Sequence, residues 1–173
     1  MQLISPADYV ENFLKNFDKE IIVIYQDKFN YNVYNHAIHL GLDLFTENNP
    51  LISNPEYIEE HIFLLKLNGY DFEPYCSYET FNLLHEMGHA QMRRLYKNSN
   101  FIELVKKYLQ SQELYNIAYD NEEIDDFELQ ELHMSEPLEK DANAWAYQFI
   151  LENKEIVKQF DKQFMNLMGA MIR

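Results

Sequence analysis

Two histidines four residues apart, His85 and His89, restrict what this chain can fold into more than any other feature. They sit in Phe81-Asn82-Leu83-Leu84-His85-Glu86-Met87-Gly88-His89-Ala90, whose apolar spacing predicts a helix. Helical residues four apart lie on one face, about a turn from each other. Both imidazoles then aim at one point where a divalent cation can sit, and a second element must bring another ligand to it. Glu86 is rotated off that axis but stays beside it, in reach of a water on the cation without being a ligand itself. This is the H-E-x-x-H arrangement of zinc peptidases. Zinc takes two neutral imidazoles, a third protein ligand and an open position, and the glutamate then removes a proton from the water. The plainer reading makes the histidines half-buried helix residues and Glu86 a solvated charge. The helical setting and a plausible downstream ligand count against it.

That ligand is sought in the helix opened by Ser135-Glu136-Pro137 and running to Ile150. Glu139, Ala142, Asn143, Ala146 and Ile150 share a face made largely of small side chains, suited to close packing against the helix of Gly88. Glu139 is favoured as third ligand because Ala142 clears room and Asn143 follows at helical spacing. Asn143 is placed to accept a hydrogen bond from the non-ligating nitrogen of a ligand histidine. Glu136, on nearly the same face, is the rival. His133, Asp141 or no third protein ligand are the remaining options. A donor for a developing oxyanion is also expected, with His133, Tyr78 and Tyr147 as candidates.

The flanking chain predicts a mostly helical α+β domain. Ser5-Pro6-Ala7-Asp8 is a helix start, followed by a stripe of Tyr9, Val10, Phe13, Leu14 and Phe17. Ile21 to Tyr25 is a strand, and Ile38, Leu40, Leu42 and Leu44 alternate as a strand with one face in the core. Tyr31 to Tyr34 is a possible third. The sheet is expected to be small and antiparallel, with an open edge beside the His-bearing helix. His36 and His39 are expected at the surface or near loops. Ser53-Asn54-Pro55-Glu56 opens a further helix that Gly69 ends, with His61 structural or exposed. Ser77 caps the His-bearing helix. Asn100 caps the next, and Asp120 to Glu131 forms an acidic stretch that still packs on one side. Val157, Phe160, Phe164 and Leu167 mark a closing helix.

At 173 residues, 47% hydrophobic and 15% aromatic, the chain fits one domain over residues 1–173 with a core of its own. A net charge of −15 repels phosphate backbones, so direct nucleic-acid binding is disfavoured while basic protein partners are not. Cys76 is the single cysteine, which fits a reducing compartment. Met1-Gln2-Leu3-Ile4 has no basic start or sustained apolar run, and no stretch reaches membrane-spanning length. A cytoplasmic protein is expected, with no membrane association and an oligomeric state left open.

Phe81 to Ala90, together with Glu139-Lys140-Asp141-Ala142-Asn143-Ala144-Trp145-Ala146, resembles the ImmA/IrrE group of metallopeptidase-like proteins. The shared pattern is a Phe four positions before the first His, a Gly before the second, and a later E-x-x-A-N-x-x-A-like helix. The first 75 residues match only in a strand-before-helix order. The resemblance implies a compact zincin-like, gluzincin-type fold of minigluzincin size. It also implies Zn2+ held by His85, His89 and Glu139, with Glu86 as general base. Relatives act as regulatory proteases, typically on a DNA-binding repressor. The expected function is therefore a zinc-dependent metallo-endopeptidase acting on a specific protein or peptide. The rival is an acidic interaction module that keeps a structural or relic zinc site and binds a partner through Asp120 to Glu131 without cutting it.

Overall fold

The computed structural model describes residues 5–26, 30–32, 36–41, 55–95 and 98–171. In chain order these give α1 (Pro6–Leu14), β1 (Ile22–Gln26), β2 (Asn30–Asn32), β3 (Ala37–Gly41), α2 (Pro55–Leu67), α3 (Tyr78–Leu95), α4 (Asn98–Asp120), α5 (Asp126–Ser135), α6 (Pro137–Glu152) and α7 (Lys154–Met171). The result is a mostly helical α+β architecture with a small sheet. Among the described residues no helix is long and apolar enough to cross a membrane.

Local chemistry sets most of the helix ends. Ser5 accepts a hydrogen bond from the backbone N–H of Asp8 to start α1. Asp125 and Glu128 form a reciprocal capping box at α5. Gly69, at φ +89°, takes the left-handed conformation that stops α2. The N-terminus of α3 is held from a distance: Asp161 of α7 accepts from both the backbone N–H and the hydroxyl of Ser77, at 2.9 and 2.5 Å. A carboxylate there also suits the positive end of the helix dipole. Helix α4 begins at Asn98, so Asn100 lies inside its first turn and does not cap it.

The sheet departs from the expected antiparallel pattern. Its order is β1-β3-β2; β3 runs antiparallel to β2 but parallel to β1, with Ile22 opposite Ala37 and Gln26 opposite Gly41. β1 and β2 lie on either side of β3 and run in opposite directions, so β3 is antiparallel to only one of them. Nor is β3 buried on one face alone. Ala37, Ile38, His39 and Leu40 are all buried, which corrects the expected surface position of His39. The parts of the proposed strands at residues 33–34 and 42–45, and of the α2 start at 53–54, lie outside the described residues.

The main core joins α1, the sheet, α3, α6 and α7 through Val10, Leu14, Ile38, Leu40, Leu83, Leu84, Ile150 and Phe164. Phe160 of α7 stacks on Phe13 of α1 with centroids 3.9 Å apart, and Phe72 stacks on Phe81 at 4.4 Å. Each fully buried Leu, Met or Phe of this kind is worth about 1.5–3 kcal/mol, and Leu83, Leu84 and Met87 fix one side of α3 against this core. Asp18, after α1, is buried and ties that segment to the far end of α3. Its carboxylate accepts from Arg94 at 2.5 Å and Gln91 at 3.4 Å, and pairs with His36 at 3.0 Å. His36 is therefore a partner in a buried cluster and not a bare surface residue.

Candidate metal centre

The site forms where α3 crosses α6. Gly88 makes the crossing possible: a Cβ at that position would lie 2.8 Å from the carbonyl oxygen of Ala142 and 3.0 Å from its Cα. Ala142 and Ala146 are fully buried in the same contact. The small face expected on α6 thus meets α3 directly, backbone close to backbone, and its first turn delivers Glu139 to the two histidines.

His85, His89 and Glu139 each present one ligand atom, and these atoms all lie within 4.8 Å of one another. Glu139 Oε2 is 3.0 Å from His85 Nε2, Glu139 Oε1 is 3.5 Å from His89 Nε2, and the two Nε2 atoms are 3.1 Å apart. Zinc bonds of about 2.0–2.2 Å give tetrahedral edges of about 3.3–3.6 Å. The separations, taken to the two oxygens of the Glu139 carboxylate, are near that size, and two imidazoles with one carboxylate leave one position for a substrate or water. The donor set fits zinc.

Hydrogen bonding prepares the first imidazole. His85 Nδ1 donates to Asn143 Oδ1 at 2.8 Å, as expected for a residue one turn after Glu139. An amide oxygen only accepts, so Nδ1 keeps its hydrogen and Nε2 is the exchangeable nitrogen facing Glu139. Burial opposes charge on His85. Hydrogen bonding and charge from Glu139, with help from Glu86 and Asn143, outweigh it and raise the pKa to about 9. Burial likewise opposes charge on Glu139, but hydrogen bonds and charge from His85 and His89 hold its carboxyl well below the ordinary range. Glu86 is half-buried beside this cluster and its charge acts on both His85 and Tyr108.

The other candidates fall elsewhere. Glu136 turns to α4 and accepts from the Tyr115 hydroxyl at 2.6 Å, so it is not the third member. Asp141 is exposed. His133 stands outside the three-residue cluster although its Nε2 is 3.7 Å from Glu139 Oε2. Tyr78 pairs with His61 Nδ1 at 2.5 Å. Tyr147 is two turns from Glu139, about 12 Å along the axis, and its ring meets Tyr70 at 5.9 Å. His61 is closer to the centre than its sequence position indicated. Burial first, then the charges of His85 and His133, push its pKa down to about 4 despite the opposing pull of Glu139. Tyr108 of α4 was not singled out by sequence either, yet its hydroxyl lies within reach of both His133 and Glu139. The only available signal was its place on the buried side of an amphipathic helix, which says nothing about a distant carboxylate. No protein-family model, curated protein or solved structure matches the chain.

Proposed function

We propose that the protein is a zinc-dependent endopeptidase. The observation that carries this reading is the convergence of His85, His89 and Glu139 from two helices, with Glu86 beside them on the first. Zinc, when bound, supplies a Lewis acid that polarises a carbonyl and makes water acidic near neutral pH. Glu86 is the general base: its carboxylate takes the proton from the attacking water and hands it to the amine that leaves. Asn143 holds His85 in the tautomer that offers Nε2, and the Gly88–Ala142 contact sets the distance between the helices that carry the ligands.

A His-bearing helix beside a small sheet, met by a later helix carrying a glutamate, is the arrangement we read as zincin-like and of ImmA/IrrE type. A regulatory protease acting on a specific protein, such as a repressor, is the form of this function that the resemblance favours. The test is incubation of the zinc-loaded protein with the product of the neighbouring gene, beside Glu86→Gln. Cleavage by the natural protein alone is expected; equal cleavage by both would remove Glu86 from the mechanism.

A second reading draws on the turn between α4 and α5. Asp120, Glu122, Glu123, Asp125 and Asp126 are all exposed there, a surface suited to a basic protein partner that is held without being cut. Stable binding of the neighbouring gene product, with no cleavage by either form, is the outcome that favours it.

A further inference from the structure

Helix α4 has two unlike faces. Its inner face turns Tyr108 and Gln112 to His133, and Tyr115 to Glu136. Its outer face carries Ile102, Leu109, Leu114 and Ile117, which are 42%, 57%, 66% and 51% exposed. At helical spacing Ile102, Lys106, Leu109, Glu113 and Ile117 form one exposed stripe, about 22 Å long. Single exposed aliphatic residues are ordinary, but a row of them along one helix face marks a contact surface.

Charge selects what can cover it. At a net charge of −15 the chain repels a copy of itself over most of its surface. The outer side of α4 is close to neutral, with Lys106 and Lys107 set against Glu103, Glu113 and Asp120. Lys107 is paired with Glu103 at 3.6 Å, whereas neither Lys106 nor Glu113 has an ion-pair partner among the described residues. Phe63 and Leu67 of α2 are also exposed, but Glu56, Glu59 and Glu60 flank them and Lys66 is bound to Glu73, so that face repels a copy.

We propose that the outer face of α4 binds the same face of a second copy of the chain, helix against antiparallel helix. The stripe is its own complement in that arrangement. About a two-fold axis between Leu109 and Gln110, Ile102 meets Ile117 of the second copy and Lys106 meets Glu113, and symmetry makes each contact twice. A parallel pair would set Lys106 on Lys106 and Glu113 on Glu113, so charge also fixes the direction. A contact of this length is at the small end of protein interfaces, which makes the dimer reversible. Tyr108, Gln112 and Tyr115 stay on the inner face, and nothing in the contact depends on the metal or on peptidase activity.

Sedimentation equilibrium of the full chain, with and without zinc, tests this. The weight-average mass should climb from 20.9 kDa toward twice that value as concentration rises. Lys106→Glu and Glu113→Lys should each weaken association by at least about tenfold, and the two together, which restore opposite charges, should recover it. Leu109→Glu should stay at the single-chain mass with an unchanged circular dichroism spectrum. Gln110→Cys, beside the axis, should give a disulfide-linked dimer on mild oxidation, while Lys162→Cys on α7 should not; the natural Cys76 is buried. Natural protein that stays at 20.9 kDa at every concentration leaves the face to another partner and overturns the proposal. So does a dimer that survives Leu109→Glu, or a charge reversal that the double substitution fails to rescue.

Discussion

The two site-bearing helices meet backbone to backbone at Gly88 and Ala142, where a methyl group on the first would stand 2.8 Å from the carbonyl oxygen of the second. Gly88→Ala should gain up to about 1 kcal/mol of helix propensity. The opposing atom is backbone, however, and cannot rotate away. The overpacking cost of about 1–3 kcal/mol should win, lowering the thermal midpoint. Because α6 must shift, zinc affinity should fall together with stability. Calorimetry and chelator competition on one sample test both.

Asn143 and His85 give a sharper test, because their hydrogen bond touches ligand chemistry more than packing. Asn143→Ala should lower zinc affinity by roughly 10- to 100-fold. Asn143→Asp retains an acceptor and should keep most of it. Equal zinc affinity for all three proteins would show that the 2.8 Å contact does not orient the ring.

In the metal-free protein His85 has a pKa raised from 6.5 to about 9, and Glu139 is held below its ordinary value of 4.5. The raised group contributes stability that is complete below 6.5 and lost as pH climbs through about 9. The depressed group contributes stability above 4.5 that is lost as pH falls. The chelated protein should therefore melt at progressively lower temperature as pH rises from about 6.5 to about 9, and level off above that. Zinc must displace the proton on Nε2, so its apparent affinity should rise with pH up to that point. At neutral pH, titration calorimetry in buffers of different ionisation enthalpy should find about one proton released per zinc.

Asp18 anchors the far end of α3 through Arg94, Gln91 and His36. Asp18→Asn keeps the shape but removes the charge that these donors share. A loss of about 1–3 kcal/mol is expected in urea unfolding, with zinc stoichiometry preserved, since none of these groups belongs to the metal cluster. Loss of zinc without loss of stability would reverse that assignment.

The helices were legible because their signals are local. Ser5 with Asp8, Gly69, and the apolar spacing from Phe81 to Ala90 state their own start, stop and buried side. The candidate metal set was legible for a related reason: His85 and His89 need only helical spacing, and Glu139 was chosen by the Ala142 and Asn143 that follow it. The parallel pairing of β1 with β3 was not legible, because strand order depends on the whole chain and not on alternation. Burial of His39 was missed for the same cause, since period two cannot reveal that a second face is covered. Tyr108, Gln112 and His61 escaped because their partners lie 17 to 25 residues away and no spacing rule links them. Asp18 reads as an ordinary charge until Arg94 is folded against it.

The central claim is that two imidazoles and one carboxylate from separate helices hold a single ion. Elemental analysis of the purified natural protein, Glu86→Gln, His85→Ala and Glu139→Ala addresses it directly. The first two should hold one zinc per chain and the last two almost none, with all four folded by circular dichroism. Full zinc content in folded Glu139→Ala, or none in the natural protein after zinc loading, would contradict it.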